Sequence, residues 1–392
     1  MDTSADTAAG TSAVAPEPGM TMGVEEEFLL LDAETLQPVP RASAVLRRAC
    51  AETEGPCALL GEMWKSQVES TTGICTGLDE LRDHLVSGRS RLANAARAEG
   101  TRIASVGLPV TPSPEPVSSD DPHHLDCLDR FTPVVSGPEF CATHIHIGMP
   151  DRDVGVAVLN LVTPWLPVLL AVTANSPYLH GTDTRFHSWR HQVYTRLPCS
   201  GPPPWYASSA EYDAEYDRMV EAGLWTAGTG SLHTVRLSSR YPTLEVRVGD
   251  ACATVDDAVL YAALARGLVR TALTDLRHGR TCPTTALAAH ATTSAGLWAS
   301  ARHGLTRALD PRTGRPLDGP GMIAALLRHV TPALDDLGDT VRVRALLRDL
   351  LMRGNGADRQ RRTRPGPDAA TALDTVLTET LRGVEDPLAC DA

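Results

Sequence analysis

Lysine is all but missing from this sequence: Lys65 is the sole lysine among 36 basic side chains, the rest being arginine. The bias is one of composition, yet it excludes mechanisms. Lys65 follows Glu62-Met63-Trp64 rather than a glycine-rich loop, so there is no Walker A motif. No pair of lysines is available to clamp phosphates, and any nucleotide chemistry must rest on arginines and metal ions. Cysteine is present without a pattern. The nine residues at 50, 57, 75, 127, 141, 199, 252, 282 and 390 form no C-x-x-C pair. That excludes a zinc ribbon and a disulfide framework, and it points to reduced thiols in a reducing, cytoplasmic compartment.

Membrane and targeting signals are also lacking. Met1 to Gly19 has neither a basic start nor an apolar stretch, and reads as a disordered tail rather than a signal peptide. The one long apolar run, Val154 to Ala174, is interrupted by Asn160, Thr163, Pro164 and Pro167. It reads as a buried helix with a proline break, not a membrane span. Positive charge is in deficit, with 36 basic against 48 acidic side chains and a net charge of −12. Such a chain repels a phosphate backbone, which speaks against nucleic acid as a partner. A nucleotide bridged by divalent cations stays compatible, because the cation inverts the local sign.

What is there is a globular composition, 42% hydrophobic and 21% charged over 392 residues, enough for a sizeable core. Strands are predicted at Met22 to Asp32, Trp64 to Thr71, Ile103 to Val110, Ala142 to Met149 and within Val235 to Gly249. Helices are predicted at Val45 to Glu52, Leu78 to Ala98, Asp256 to Arg277, Thr285 to Arg302, Gly321 to Leu351 with breaks, and Ala369 to Arg382. The proline-rich stretch Thr111 to Glu139 and the segment Gly181 to Ser209 read as site-forming loops. Strands in the first two thirds, with helices between and after them, give an α+β class.

Three of these strands carry an unusual face. Side chains two apart on a strand share a side. Glu25 and Glu27 therefore oppose Val24, Glu26 and Phe28; His144 and His146 oppose Ile145 and Ile147; Thr243, Glu245 and Arg247 oppose Leu244, Val246 and Val248. Paired carboxylates repel unless something cationic lies between them. Carboxylates with a few imidazoles suit Mg²⁺, with Mn²⁺ as the alternative. Glu69 adds a further carboxylate on the second strand, and Glu62 lies just before it.

At this point the residues resemble a known family. GVEEEFLL, QVES, THIHIG, ANSP and TLEVRVGD, in this order, are similar to glutamate–cysteine ligase type 2, the carboxylate-amine ligase branch of the glutamine synthetase-like superfamily. The likeness runs from Met22 to the GNGADRQR segment at Gly354 to Arg361. The resemblance implies a curved, largely antiparallel sheet with a funnel-like site on one face and helices on the other. It implies a single ligase domain over residues 20–392 after the tail of residues 1–19, and ATP with Mg²⁺ as cofactors. It implies Glu25, Glu27, Glu69, His144 and Glu245 as metal ligands, with Glu27 also near the nucleotide. By the same likeness, Arg190, Arg247 and Arg236 would contact phosphate or carboxylate, His146 would lie near the metal or the substrate, and Glu62 would lie towards the substrate.

The implied reaction joins a glutamate-like carboxylate to an amine through an acyl phosphate, with glutamate–cysteine ligation as a weak activity. Two departures bear on the acceptor. His233-Thr234-Val235-Arg236 stands where the family carries Trp-Asp-x-Arg, and Tyr178-Leu179-His180-Gly181 follows ANSP. They lead to the expectation that the amine is not cysteine. The rival reading is a metal-dependent amidohydrolase using the same His and Glu face. Homo-oligomerisation is left open. The basic run Arg359 to Arg364 reads as a solvated loop.

Overall fold

The computed structural model describes residues 17–52, 55–111, 114–131, 139–280, 286–362 and 369–384. The expected tail falls mostly outside these residues, but its end does not. Gly19 N–H donates to Gly148 O at 2.9 Å, so residues 17–19 are docked on the body. In chain order the first elements are β1 (Met22–Asp32), α1 (Ala42–Glu52), β2 (Ala58–Gly61), β3 (Gln67–Thr71), α2 (Leu78–Ala98), β4 (Thr101–Ala104) and α3 (Pro122–Phe131). Then come β5 (Thr143–Gly148), α4 (Arg152–Val162), α5 (Leu166–Thr173), the hairpin β6 (Tyr178–Leu179) and β7 (Thr182–Asp183), α6 (Trp189–Tyr194), α7 (Ser209–Glu221), β8 (Val235–Leu237) and β9 (Thr243–Val246). The rest is α8 (Val255–Arg277), α9 (Ala286–His303), the hairpin β10 (Arg307–Leu309) and β11 (Pro316–Asp318), α10 (Gly319–Leu337), α11 (Thr340–Arg353), α12 (Gly356–Arg362) and α13 (Ala369–Thr380).

The main sheet has seven strands in the order β2-β3-β1-β5-β9-β8, with β4 added to β1, and every pairing is antiparallel. The long first strand is its axis. Its first half lies between β3 and β5, and residues 29–32 take up β4. Alternation gives the first half two different faces. Met22 and Val24 enter a core with Ile145, Ile147, Leu244 and Val246, while Glu25 and Glu27 point the other way.

Helix α8 packs across the apolar face, touching β5, α2, α4, α5, α10 and α11. It starts at a capping box, with Thr254 Oγ1 accepting from Asp257 N–H and the Asp257 carboxylate accepting from Thr254 N–H. The odd member of the apolar face is Glu26. Arg89 of α2, fully buried, donates to both its oxygens at 2.6 and 3.1 Å and to the carbonyls of Cys252, Ala253 and Thr380. That pair joins the sheet, α2 and the end of α13.

The apolar run behaves as expected of a core helix. A 3-10 turn at Thr163–Trp165 separates α4 from α5, with prolines in the first turn of each following piece. Arg152–Thr173 is long and apolar enough to cross a membrane, but 72% of that window is buried inside the protein.

Several expectations need correction. The stretch Thr111 to Glu139 is not all loop, because α3 occupies Pro122–Phe131. Asp121 accepts from His123 N–H at 2.8 Å and Pro122 opens the first turn, which together start a helix. The segment Gly181 to Ser209 contains α6, capped by Ser188. The strand expected at Ile103 to Val110 is Thr101–Ala104. The basic run is no solvated loop: Arg359 and Arg361 lie on α12, where Arg359 pairs with Asp257 and Arg361 holds Asp183 at 2.6 and 3.0 Å. The end of that run, residues 363–364, lies outside the described residues.

Candidate functional site

Register turns the sequence pattern into a wall of charge. Antiparallel pairing sets Glu27 opposite Glu69, and Glu25 between Thr71 and His144. On the other side of β5, His146 faces Glu245, and Glu245 faces Arg236. Directly opposed residues have neighbouring side chains on one face of a sheet. Five strands thus deliver their polar side chains to one surface, where Glu27, His144, His146 and Glu245 are buried and Glu25, Glu69 and Arg236 half-buried.

The half nearest β5 and β9 is rich in cationic partners. Glu25 lies 3.1 Å from both His144 Nδ1 and His146 Nε2. Burial alone would raise its pKa, but the hydrogen bonds and charges of the two imidazoles hold it well below the usual carboxylate range. Glu245, almost fully buried, accepts from Arg236 at 2.7 and 3.1 Å and from Arg247. The burial cost is again outweighed, by Arg236 and Arg247, and its pKa is lowered. Arg236 also donates to the carbonyls of Thr229 and Ser231, so each of its nitrogens is engaged with Glu245 or that loop.

The two histidines differ. Burial and the Arg247 charge push His144 down to about 4, leaving it neutral. For His146, burial is overcome by Glu25 and Glu245 and the pKa is raised. His146 Nδ1 meets Thr243 Oγ1 at 2.8 Å, which fixes the ring. One ligand atom each from Glu25, His146 and Glu245 fall within 4.8 Å of one another. The geometry groups His146, expected near the metal or the substrate, with two carboxylates, while His144, expected as a metal ligand, lies 3.1 Å from Glu25 and 3.8 Å from Glu27.

The half nearest β3 is short of cations. Burial, with the Glu69 charge adding to it, raises Glu27 to about 7 despite Arg190. Burial and the Glu27 charge raise Glu62 to about 7, and burial and Glu62 push Glu69 well up. Three desolvated carboxylates repelling one another are what a divalent cation neutralises. Buried Nε atoms of Arg190 and Arg247 also lack a hydrogen-bond partner. The donor set and these unpaired N–H groups fit a magnesium-nucleotide complex.

Arg190 is aimed by a device that sequence reasoning missed. Its guanidinium lies 3.8 Å from the fully buried Asp250 and over the Tyr194 ring at 5.6 Å. Asp250 also accepts from Asn175 N–H, Ser176 Oγ and Ser188 Oγ at 2.7–2.8 Å. The last residue of TLEVRVGD therefore ties the ANSP turn to the start of α6, and an acidic residue closing an apolar strand was the available signal. A second missed feature is a cavity of about 430 Å³ that ends at Glu25 and His146. Thr21, Gly23, Ile74, Pro150, Tyr241 and Pro242 line it, and its surface is largely apolar.

Comparison with known proteins decides the family. The model of glutamate-cysteine ligase family 2 matches residues 21–382. The chain belongs to glutamate-cysteine ligase family 2. Members of the family are ATP-dependent carbon–nitrogen ligases, and so is this chain. It is 43% identical over 346 residues, 88% of each chain, to a Saccharopolyspora erythraea protein provisionally named glutamate–cysteine ligase 2-2. It is 40% identical to a provisionally named glutamate–cysteine ligase 2 of Salinispora arenicola, over 92% of this chain and 95% of that one.

Solved structures share the fold at low identity. The bifunctional glutathione synthetase of Pasteurella multocida superposes with a TM-score of 0.62 at 15% identity, covering 93% of this chain and 53% of that one. The glutamate–cysteine ligase of Francisella tularensis, solved in complex with AMP, gives 0.60 at 11% identity, covering 94% and 89%. The family's α+β, antiparallel-sheet fold is the one expected from the resemblance.

Proposed function

We propose that this ligase activates a small-molecule carboxylic acid, of the glutamate type, with magnesium ATP and passes the acyl group to an amine. The observation that carries the reading is the convergence of Glu25, His146 and Glu245 within 4.8 Å beside the carboxylates of Glu27, Glu62 and Glu69. Glu25, His146 and Glu245 would hold one cation, and Glu27, Glu69 and Glu62 a second. Bound Mg²⁺ supplies charge neutralisation for phosphate oxygens. Arg236 acts on Glu245, so its part is to position a ligand and not to touch phosphate.

The nucleotide's flat base suits the apolar cavity at Tyr241 and Ile74, with the phosphates directed to the wall at Glu25 and His146. Arg247, which also holds Glu245, and Arg190 each keep an Nε without a partner and are the cations for the transferring phosphoryl group and the donor carboxylate. The donor's carboxylate oxygen attacks the γ-phosphorus, the bond to the β-phosphate oxygen breaks and ADP leaves. The amine then attacks the acyl carbon, the bond to the phosphate oxygen breaks, and inorganic phosphate leaves as the nitrogen loses a proton. No enzyme nucleophile is required.

The departure at His233 supports an acceptor other than cysteine; Tyr178 lends no support, because it lies on β6 and is buried in a core with Leu29 and Leu31. His233 is buried, edge-on to Trp225 with ring centroids 5.3 Å apart, and its Nε2 lies 3.3 Å from Tyr206 Oη. The test is an ADP-release screen of donor acids crossed with amines, run with and without ATP. ADP release that needs both an acid and an amine, with a non-thiol amine preferred, is the expected result. A strong preference for cysteine overturns the acceptor reading, and amide hydrolysis without ATP overturns the whole.

A further inference from the structure

We propose a further divalent-metal site, apart from the wall, formed by Cys75, Glu80 and His84, of the class that takes Zn²⁺ or another thiophilic dication. One ligand atom from each residue lies within 4.8 Å of the others. Glu80 and His84 are four apart on α2 and therefore share a helix face. Cys75 precedes the helix and is fixed by two backbone hydrogen bonds to Met22, each 2.8 Å. Its Sγ lies 3.3 Å from His84 Nδ1. Tetrahedral zinc holds sulfur and nitrogen donors about 3.5 Å apart. The pair is close to ligand spacing before any ion arrives.

The third donor is equally prepared. Glu80 Oε2 accepts from Thr76 N–H at 2.9 Å, which orients the carboxylate, and its exposure gives an ion and its water a path in. A sulfur, nitrogen and oxygen set suits zinc, whereas magnesium prefers oxygen alone. The two sites cannot share an ion. Cys75 packs in the core with Met22, Leu81 and Leu85 on the helix-covered side of the sheet, and Glu25 and His146 lie on the opposite face. Burial and the Glu80 charge push the Cys75 thiol up to about 12, so the free protein carries it protonated. Metal binding forms a sulfur–metal bond and releases that proton to solvent.

Three protein ligands leave a position for water, which makes this an exchangeable site, not a closed structural one. It lies behind the cavity. Thr72, Gly73 and Ile74 line that cavity just before Cys75, and a Cβ on Gly73 would meet His84 Cε1 at 3.2 Å. The inference does not depend on the ligase reading.

Co²⁺ is the probe, added to the full chain with Mg²⁺ in excess, and the readout is the near-ultraviolet thiolate-to-cobalt band. The expected result is a band that saturates at one Co²⁺ per chain and is bleached by Zn²⁺. Glu80→Gln and His84→Ala should each weaken Co²⁺ binding by about tenfold or more. Cys75→Ser should remove the band and Cys57→Ser should keep it. Glu80 is exposed, so its substitution leaves the fold intact. No band in the wild type, or a band indifferent to Glu80→Gln, overturns the proposal.

Discussion

Glu25 sits between two imidazoles while Glu27, two residues on, is more deeply buried and faces Glu69, with Arg190, Arg247 and the Ala142 N–H offsetting burial only in part, and that contrast sets what each does without metal. Glu27 and Glu62, raised from 4.5 to about 7, keep protons in the folded chain that the unfolded chain has lost. The metal-free protein should therefore lose stability as pH rises from about 4.5 through about 7. A bound dication replaces those protons, so its stabilisation grows over the same window. Thermal unfolding with and without Mg²⁺ at pH 6 and pH 8 checks this: the larger upward shift should come at pH 8, and equal shifts would contradict it. Glu25→Gln should cut turnover by about 100-fold or more with an unchanged far-ultraviolet spectrum, since it removes a charge from the wall without removing volume. Period-two alternation was enough to find Glu25, Glu27, His144, His146 and Glu245. It could not rank the two histidines. Their difference comes from register, which pairs His146 with Glu245 and leaves His144 beside Arg247, and register is not written in one strand.

Elements were legible where periodicity was long and illegible where a short cap did the work. Helices α2 and α8 follow from their apolar repeats. The start signals of α3 and α7 were present in Asp121-Pro122 and in Ser208 with Glu211, whose backbone N–H bonds Ser208 Oγ at 3.2 Å. Proline and polar composition masked them. The tie between sheet and helices could not be read at all, since Glu26 and Arg89 are 63 positions apart. Arg89→Leu would take the Arg89 hydrogen bonds from a buried carboxylate and from the carbonyls of Ala253, Thr380 and Cys252, of which Cys252 keeps Ser105 Oγ. The expected cost is about 3–5 kcal/mol in urea unfolding, and a loss under about 1 kcal/mol would refute that role for the pair. Gly356 makes a second such point. A Cβ there would lie 2.1 Å from Asn175 Oδ1 and 2.8 Å from Asn175 Cβ, and Asn175 is held by Ser105 and Ala251 carbonyls. Gly356→Ala should destabilise by about 2 kcal/mol and, through the Asn175–Asp250 link, lower activity by disturbing Arg190.

On the scale of the whole molecule, the fold is shared with solved ligases over 93% and 94% of this chain at only 15% and 11% identity. On the proposed reading, the wall lets a chain of net charge −12 with one lysine handle a triphosphate: its acidic groups would recruit cations, and arginines would supply the remaining positive charge. The segments between the regular elements were the least legible part of the sequence, because their side chains obey no period. The most direct measurement of the wall's role is calorimetric titration of ATP into the protein with Mg²⁺, with chelator, and with Mg²⁺ in the Glu245→Gln variant. Binding with Mg²⁺ should weaken by about tenfold or more in both other conditions. ATP binding of equal strength in all three would contradict a metal-bridged nucleotide.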